Sequence, residues 1–205
     1  MTYVIAEPVT ALATEENDKM KTTVKTVIAI AGVILAAATW NTPAQAQAPS
    51  DPQIVGIVGA ANQIDIDHSK LALAKSNNKE VKAFAQQMVM DHTAVQKSVT
   101  DLAAKLNVTP ADSDTSKGLQ AQADETTKLL NGLYGTAFDK AYIDNEVAYH
   151  KAVIDAVGNT LIPNAQNAEL KAALTGAVPM FHGHLEHAQK VQSDLQGTAG
   201  KKTPY

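Results

Sequence analysis

From Val81 onward the apolar positions of the chain fall at Val81, Ala85, Met88, Val95, Val99, Leu102 and Leu106. His92 takes the one remaining place on the stripe, and the steps alternate four and three throughout. That rhythm fits one face of an α-helix and no face of a strand. The same spacing recurs in three other segments. The first runs through Ile54, Ile57, Ala61, Ile64, His68 and Leu71, and the third through Ile143, Val147, His150, Ile154, Val157 and Leu161. The fourth runs through Leu170, Leu174, Ala177, Phe181, His184, Ala188, Val191 and Leu195. Stripes this narrow bury themselves only against one another, which selects helix-on-helix packing.

Breaks in the pattern delimit the helices. "KSNNKE" separates the first two, "NVTPADSD" ends the second with proline and capping residues, and "IPNAQN" closes the third. Residues 115–131 form a more polar connecting segment between helices two and three, about 25 Å long if fully helical. Its length permits two antiparallel hairpins joined by a crossover. The expected fold class is therefore all-α, a four-helix ferritin-like bundle with a connecting helix between helices two and three. The bundle is expected over residues 53–195, and Pro179 is expected to kink the last helix.

The N-terminal region reads differently. Residues 20–46, "MKTTVKTVIAIAGVILAAATWNTPAQA", have a basic start at Lys21 and Lys25, a short apolar run and a small-x-small site at Ala44-Gln45-Ala46. These are the parts of an export signal peptide, and the run is short for a membrane span. The acidic stretch 1–19 is wrong for such a signal, so translation is expected to begin at Met20 with residues 1–19 an over-long extension. Residues 47–52 are expected as a leader and residues 196–205 as a flexible tail. The expected location is periplasmic or associated with the outer envelope, with no integral membrane span after cleavage.

Composition excludes several function classes. There is no cysteine, so thiolate metal sites, disulfides and cysteine nucleophiles are absent. All 17 basic residues are lysine, and the net charge is −4. Without guanidinium groups and with an acidic balance, nucleic acid is not an expected partner. No phosphate-binding glycine loop, nucleophile elbow or His-Glu-x-x-His motif occurs.

The histidines carry the remaining chemistry. Four of the six sit on the stripes, one per helix: His68, His92, His150 and His184. Asp65, Asp67, Asp91, Glu146 and Glu186 flank them. Heights along ideal helices put Asp65, His68, His92, Glu146 and His150 in one layer and leave His184 too near the bundle end to join it. Three readings follow. The buried imidazoles could fix helix register by hydrogen bonds to Asp65, Asp91, Glu146 or Tyr142. They could hold a divalent transition metal, with Asp65, His92, Glu146, His150 and, less directly, His184 as ligands. They could also act as a pH sensor. A symmetric di-iron centre is disfavoured, because Val89, Val147 and Phe181 stand where Glu-x-x-His would need glutamate. The trio His182, His184 and His187 lacks the spacing to share one helical face. Tyr142 and Tyr149 read as packing and hydrogen-bonding residues.

"VKAFAQQMVMDHT", the block from "FDKAYI" to His150, and the "HLEHA" histidine, His184, together resemble the domain-of-unknown-function family 4142. That resemblance implies an exported bacterial helical bundle of ferritin-like type, often labelled an outer-membrane protein. It implies recurring polar residues at Asp65, Asp67, Asp91, His92, Tyr142, His150 and His184, and an apolar residue where this chain has His68. It brings no established activity with it. The function expected is a non-catalytic, stress-associated envelope protein with a His/carboxylate core, with no catalytic residue assigned. The alternative is a metal-binding ferritin-like protein handling metal ions or peroxide. A homo-oligomer or an envelope partner is the association expected.

Overall fold

The computed structural model describes residues 48–199. The extension, the signal peptide and residues 200–205 of the tail lie outside the described residues. Within them the chain is helical, with no strand. Five helices follow in order: α1 (Asp51–Lys75), α2 (Lys79–Lys105), α3 (Asp114–Gly132), α4 (Gly135–Ala156) and α5 (Ala168–Ala199). A π-helical turn, Val157–Leu161, and one further α-turn, Ile162–Asn164, extend α4 toward α5. No described helix is long and apolar enough to cross a membrane.

Local chemistry sets most boundaries. The Asn78 side chain accepts hydrogen bonds from the Glu80 and Val81 amides and so starts α2. Three residues, 76–78, reverse the chain between α1 and α2, and Ser76 Oγ donates to Asp139 Oδ1 at 2.5 Å, tying the turn to α4. At the end of α2, Asn107 takes φ 53°. The Val108 amide then bonds to the Ala103 carbonyl and the Asn107 amide to the Ala104 carbonyl. This paired closure needs a residue that tolerates the left-handed region, and asparagine does so better than most.

Two boundaries differ from the sequence reading. Asp51 and Pro52, placed in the leader at 47–52, form the first turn of α1. Proline is at ease there because the first-turn amides have no helical partner, and the Asp51 carboxylate accepts the Gln166 and Asn167 amides beside α5. The last helix runs to Ala199, past Leu195 where the apolar stripe ends. Pro179 lies inside α5, and the helix continues through it.

Packing follows the stripes. α1 lies against α2 and α4 against α5, with further contacts of α2 with α5 and α1 with α4. α3 lies across α1 and α4. The interior has two apolar regions. One gathers Ala72, Val81, Phe84, Met88, Phe138 and Ile143 near the α1–α2 turn. The other gathers Ile54, Ile57, Ala103, Leu161, Leu174 and Phe181 toward the opposite end. Every helix that passes from one region to the other carries a polar residue at the crossing, and those residues form the site below.

The loop between α2 and α3 closes the second apolar region. The Ala111 amide bonds to the Pro52 carbonyl at 2.9 Å, and Gly56 makes that approach possible. A Cβ added at Gly56 would stand 2.2 Å from the Ala111 carbonyl oxygen, a backbone atom that cannot rotate away. Gly56→Ala should therefore cost about 1–3 kcal/mol by displacing the loop. Urea unfolding of the variant measures this, and a gain in stability would refute the close approach.

Candidate metal centre

Four helices each bring polar side chains to the layer between the two apolar regions. α1 supplies Asn62, Asp65 and Ser69, α2 supplies Asp91 and His92, α4 supplies Glu146 and His150, and α5 supplies His184. Asp65, Glu146, His150 and His184 are each 1% exposed and His92 is 4%. The rings of His92, His150 and His184 approach pairwise, with centroids 5.2–5.8 Å apart.

Hydrogen bonds fix which nitrogen of each ring carries the proton. His92 Nδ1 lies 2.8 Å from Asn62 Oδ1. The Asn62 amide nitrogen already donates to the Val58 carbonyl, so its oxygen accepts and His92 Nδ1–H donates. His150 Nδ1 lies 3.1 Å from the Glu146 backbone carbonyl, which can only accept. His184 Nε2 lies 2.9 Å from Asp91 Oδ2. Each imidazole thus spends its N–H on an outward partner and turns its lone-pair nitrogen inward. Those three nitrogens, His92 Nε2, His150 Nε2 and His184 Nδ1, are buried and have no hydrogen-bond partner.

Two carboxylates join them. Asp65 Oδ1 accepts from Ser69 Oγ, which also lies 2.9 Å from the Tyr142 hydroxyl. The other oxygen, Oδ2, stands 3.4 Å from His92 Nε2 and 3.6 Å from His150 Nε2, without a hydrogen bond. Both oxygens of Glu146 also lack a hydrogen bond, with Oε2 standing 3.6 Å from His150 Nδ1. Two sets of donor atoms, His92–His150–His184 and Asp65–Glu146–His150, each fall within 4.8 Å of one another and could hold a metal ion.

Burial governs the protonation of this layer. Desolvation raises Asp65 to about 7, against the hydrogen bond from Ser69. Glu146 is pushed well up by burial and then by the neighbouring Asp65. Desolvation lowers His92 to about 3, helped by the other two imidazoles, and lowers His150 to about 4. His184 is also lowered by burial, with Asp91 working against the shift. All three rings are neutral at pH 7, the form that binds metals.

Asp65, His92, Glu146 and His150 meet as their helical heights suggest. His184 is a correction, since it joins the layer that the sequence reading denied it. The error came from measuring α5 against an assumed bundle height. Counted from the turn that joins α4 to α5, His150 lies about 21 Å before Asn164 and His184 about 24 Å after Ala168, which are level. His68 is the opposite correction. Its Nε2 lies 3.1 Å from Thr127 Oγ1 and 3.4 Å from the Ala123 carbonyl. It therefore faces α3 and stays out of the layer. His182 is exposed, and His187 bonds to Gln87, so the trio near the end of α5 is divided three ways.

Asn62 and Ser69 went unremarked in the sequence, although a signal existed. Val55, Asn62, Ser69 and Ser76 are spaced by seven and all buried. That spacing marks a second inward line along α1 in which polar residues replace apolar ones.

The family profile for the domain of unknown function DUF4142 matches residues 36–191. The chain belongs to the DUF4142 family. No curated protein matches it. Among solved structures, "CopM in the Cu(II)-bound form" is 15% identical with a TM-score of 0.57, covering 72% of this chain and 98% of that one. A putative secreted DUF305 protein from Streptomyces coelicolor is 13% identical with a TM-score of 0.58, covering 75% of this chain and 95% of that one. At such identities the likeness of this DUF4142 chain to both is one of helical fold.

The opposed shifts predict a pH signature for the metal-free protein. The folded state holds the Asp65 proton up to about pH 7, whereas the unfolded chain releases it near 3.8. That contribution is full at low pH and fades as pH rises through 7. His92 and His150 stay neutral when folded, while the unfolded chain protonates them below 6.5. Their contribution is full above 6.5 and fades on acidification, at about 1.4 kcal/mol per pH unit per group. Asp65→Asn removes the opposing carboxyl. Its stability should fall more steeply than wild type between pH 6.5 and 4.5, read by urea unfolding with a chelator present. Parallel slopes would contradict the shift assigned to Asp65.

Proposed function

We propose that this chain is an exported, non-catalytic DUF4142 protein of the cell envelope that binds one divalent transition-metal ion in the core of a four-helix, ferritin-like bundle. The ferritin-like reading rests on the two hairpins, α1–α2 and α4–α5, and on α3 as the crossover between them. His92, His150, His184 and Asp65 are the proposed ligands, with Glu146 alongside as a further carboxylate. Export is inferred from the signal-like segment at 20–46 and is consistent with the secreted protein of similar fold.

The observation that carries the reading is the gathering of three unpartnered imidazole lone pairs, two of them 3.4 and 3.6 Å from an unpartnered carboxylate oxygen. A layer built only to fix register would pair these atoms with one another, since buried polar groups without partners are costly. Instead every available proton on the rings points away from the centre. Lone pairs facing a carboxylate repel, and a cation between them removes the repulsion. Orienting acceptors behind each imidazole are the usual accompaniment of metal-binding histidines.

Three imidazole nitrogens with carboxylate oxygen and no sulfur suit borderline ions such as Cu(II) or Zn(II) better than Ca(II) or Cu(I). Cu(II) heads the affinity order for nitrogen–oxygen sites, and a protein of similar fold has been captured with Cu(II). It is the first ion to test. For Zn(II), four protein donors would fill a tetrahedral site, whereas catalytic zinc sites keep a position open. This favours holding or carrying a metal over turning over a substrate.

Titration of chelator-stripped protein with Cu(II), and separately Zn(II), should give one equivalent by calorimetry. His150→Ala should weaken binding by at least roughly a hundredfold, and His68→Ala should leave the stoichiometry intact. At a hundred times Kd, free metal should stabilise the fold by about 2.7 kcal/mol. Equal and weak binding by wild type and His150→Ala would return the layer to a register-fixing role.

A further inference from the structure

The polar side chains of the layer are buried, with one exception. Asn62, Ser69, Asp65 and Glu146 are buried to within a few per cent. Asp91, which holds the His184 N–H, is the exception, with its side chain 24% exposed. It lies on the seam between α2 and α5, where the His187–Gln87 pair forms the next rung.

The helix that carries His184 is also unlike the other two that bring imidazoles to the layer. α2 has no glycine or proline, and α4 has glycine only at its first position. α5 has Gly176, Pro179 and Gly183 within two turns, just before His184. Pro179 offers no N–H to the preceding turn. The glycines are not required by packing, because a Cβ added at Gly176 or Gly183 meets nothing within 4 Å. Each therefore weakens the helix relative to alanine with no steric return. The weakest stretch of α5 thus adjoins the ligand that faces the exposed carboxylate.

We propose that metal reaches and leaves the layer along the α2–α5 seam, with His184 as the exchangeable ligand. The incoming cation meets the Asp91 carboxylate first. Local opening of α5 around Gly183 carries His184 aside, and its return completes the donor set. His92 and His150, on uninterrupted helices, stay in place. The proposal rests on the metal-binding reading above.

Rapid mixing of metal-free protein with Cu(II), and chase of the loaded protein with excess chelator, measure uptake and release. Gly176→Ala/Gly183→Ala should slow both rates by about fivefold per position, the population change expected from helix propensity. Gly118→Ala, an open helical position in α3 away from the layer, should leave both rates unchanged. Asp91→Asn keeps an acceptor for the His184 N–H but removes the charge. Its uptake should be slower than wild type and lose much of its dependence on ionic strength. If Cu(II) binds but α5 and Asp91 variants exchange it at the wild-type rate, the route is wrong and the metal site stands. Equal slowing by Gly118→Ala would assign exchange to overall stability and also overturn the route. Failure of wild type to bind either Cu(II) or Zn(II) would overturn both readings.

Discussion

The arrangement depends on where three imidazole protons go. Asn62, the Glu146 carbonyl and Asp91 each take one N–H, and the opposite nitrogen of each ring is thereby turned to the bundle axis. Asn62 is itself pinned by its bond to the Val58 carbonyl. Second-sphere contacts of this kind usually matter almost as much as the ligands they orient. Here they come from three different helices, so the inward geometry is a property of the packed bundle and cannot form in any hairpin alone.

The apolar regions on either side make this polar layer tolerable. Met88, Val147 and Ala188 cover one side, and Phe181 with the partly buried Val153 and Val99 lies toward the other. Phe181 stacks on the His92 ring at 6.2 Å with an interplanar angle of 18°. The surrounding packing excludes water from the lone pairs, which lowers the histidines and raises the carboxyls. The same exclusion leaves each unpaired atom without solvent compensation. Stability of the apolar ends and strain of the polar middle are thus consequences of one stacking order along the helices.

Much of this was legible in the spacing of residues. The stripes locate α1, α2, α4 and α5, and they place His92, His150 and His184 on inward faces. The family assignment was also readable from blocks such as "VKAFAQQMVMDHT". Two things were not. Axial height depends on where helices end, and the π-helical turn at Val157–Leu161 with the following α-turn moves the α4–α5 junction beyond the stripe's last residue. Measuring α5 from an assumed bundle height, not from that junction, hid His184 from the layer. Direction around the helix was ambiguous for His68, which sits at an inward position of α1 but faces α3. A stripe cannot distinguish a central core from the space beneath a crossing helix.

The charge inventory sharpens what the layer requires. Every basic residue is a lysine, and none of the described lysines is buried. They pair on the surface instead, as in Lys97 with Asp101 and Lys190 with Asp194. Lys75 turns to the carbonyls of Leu130 and Asn131. Asp65 and Glu146 therefore lie side by side with no side-chain ammonium to neutralise them, and the neighbouring imidazoles are themselves held neutral. A buried carboxylate pair in that setting must either keep a proton or meet a cation from outside the chain. A proton on Asp65 Oδ2 faces one imidazole nitrogen at a time, His92 Nε2 at 3.4 Å or His150 Nε2 at 3.6 Å, and leaves the other lone pairs of the layer without a donor. A divalent ion would answer both demands at once, which is the physical ground for the proposed metal site.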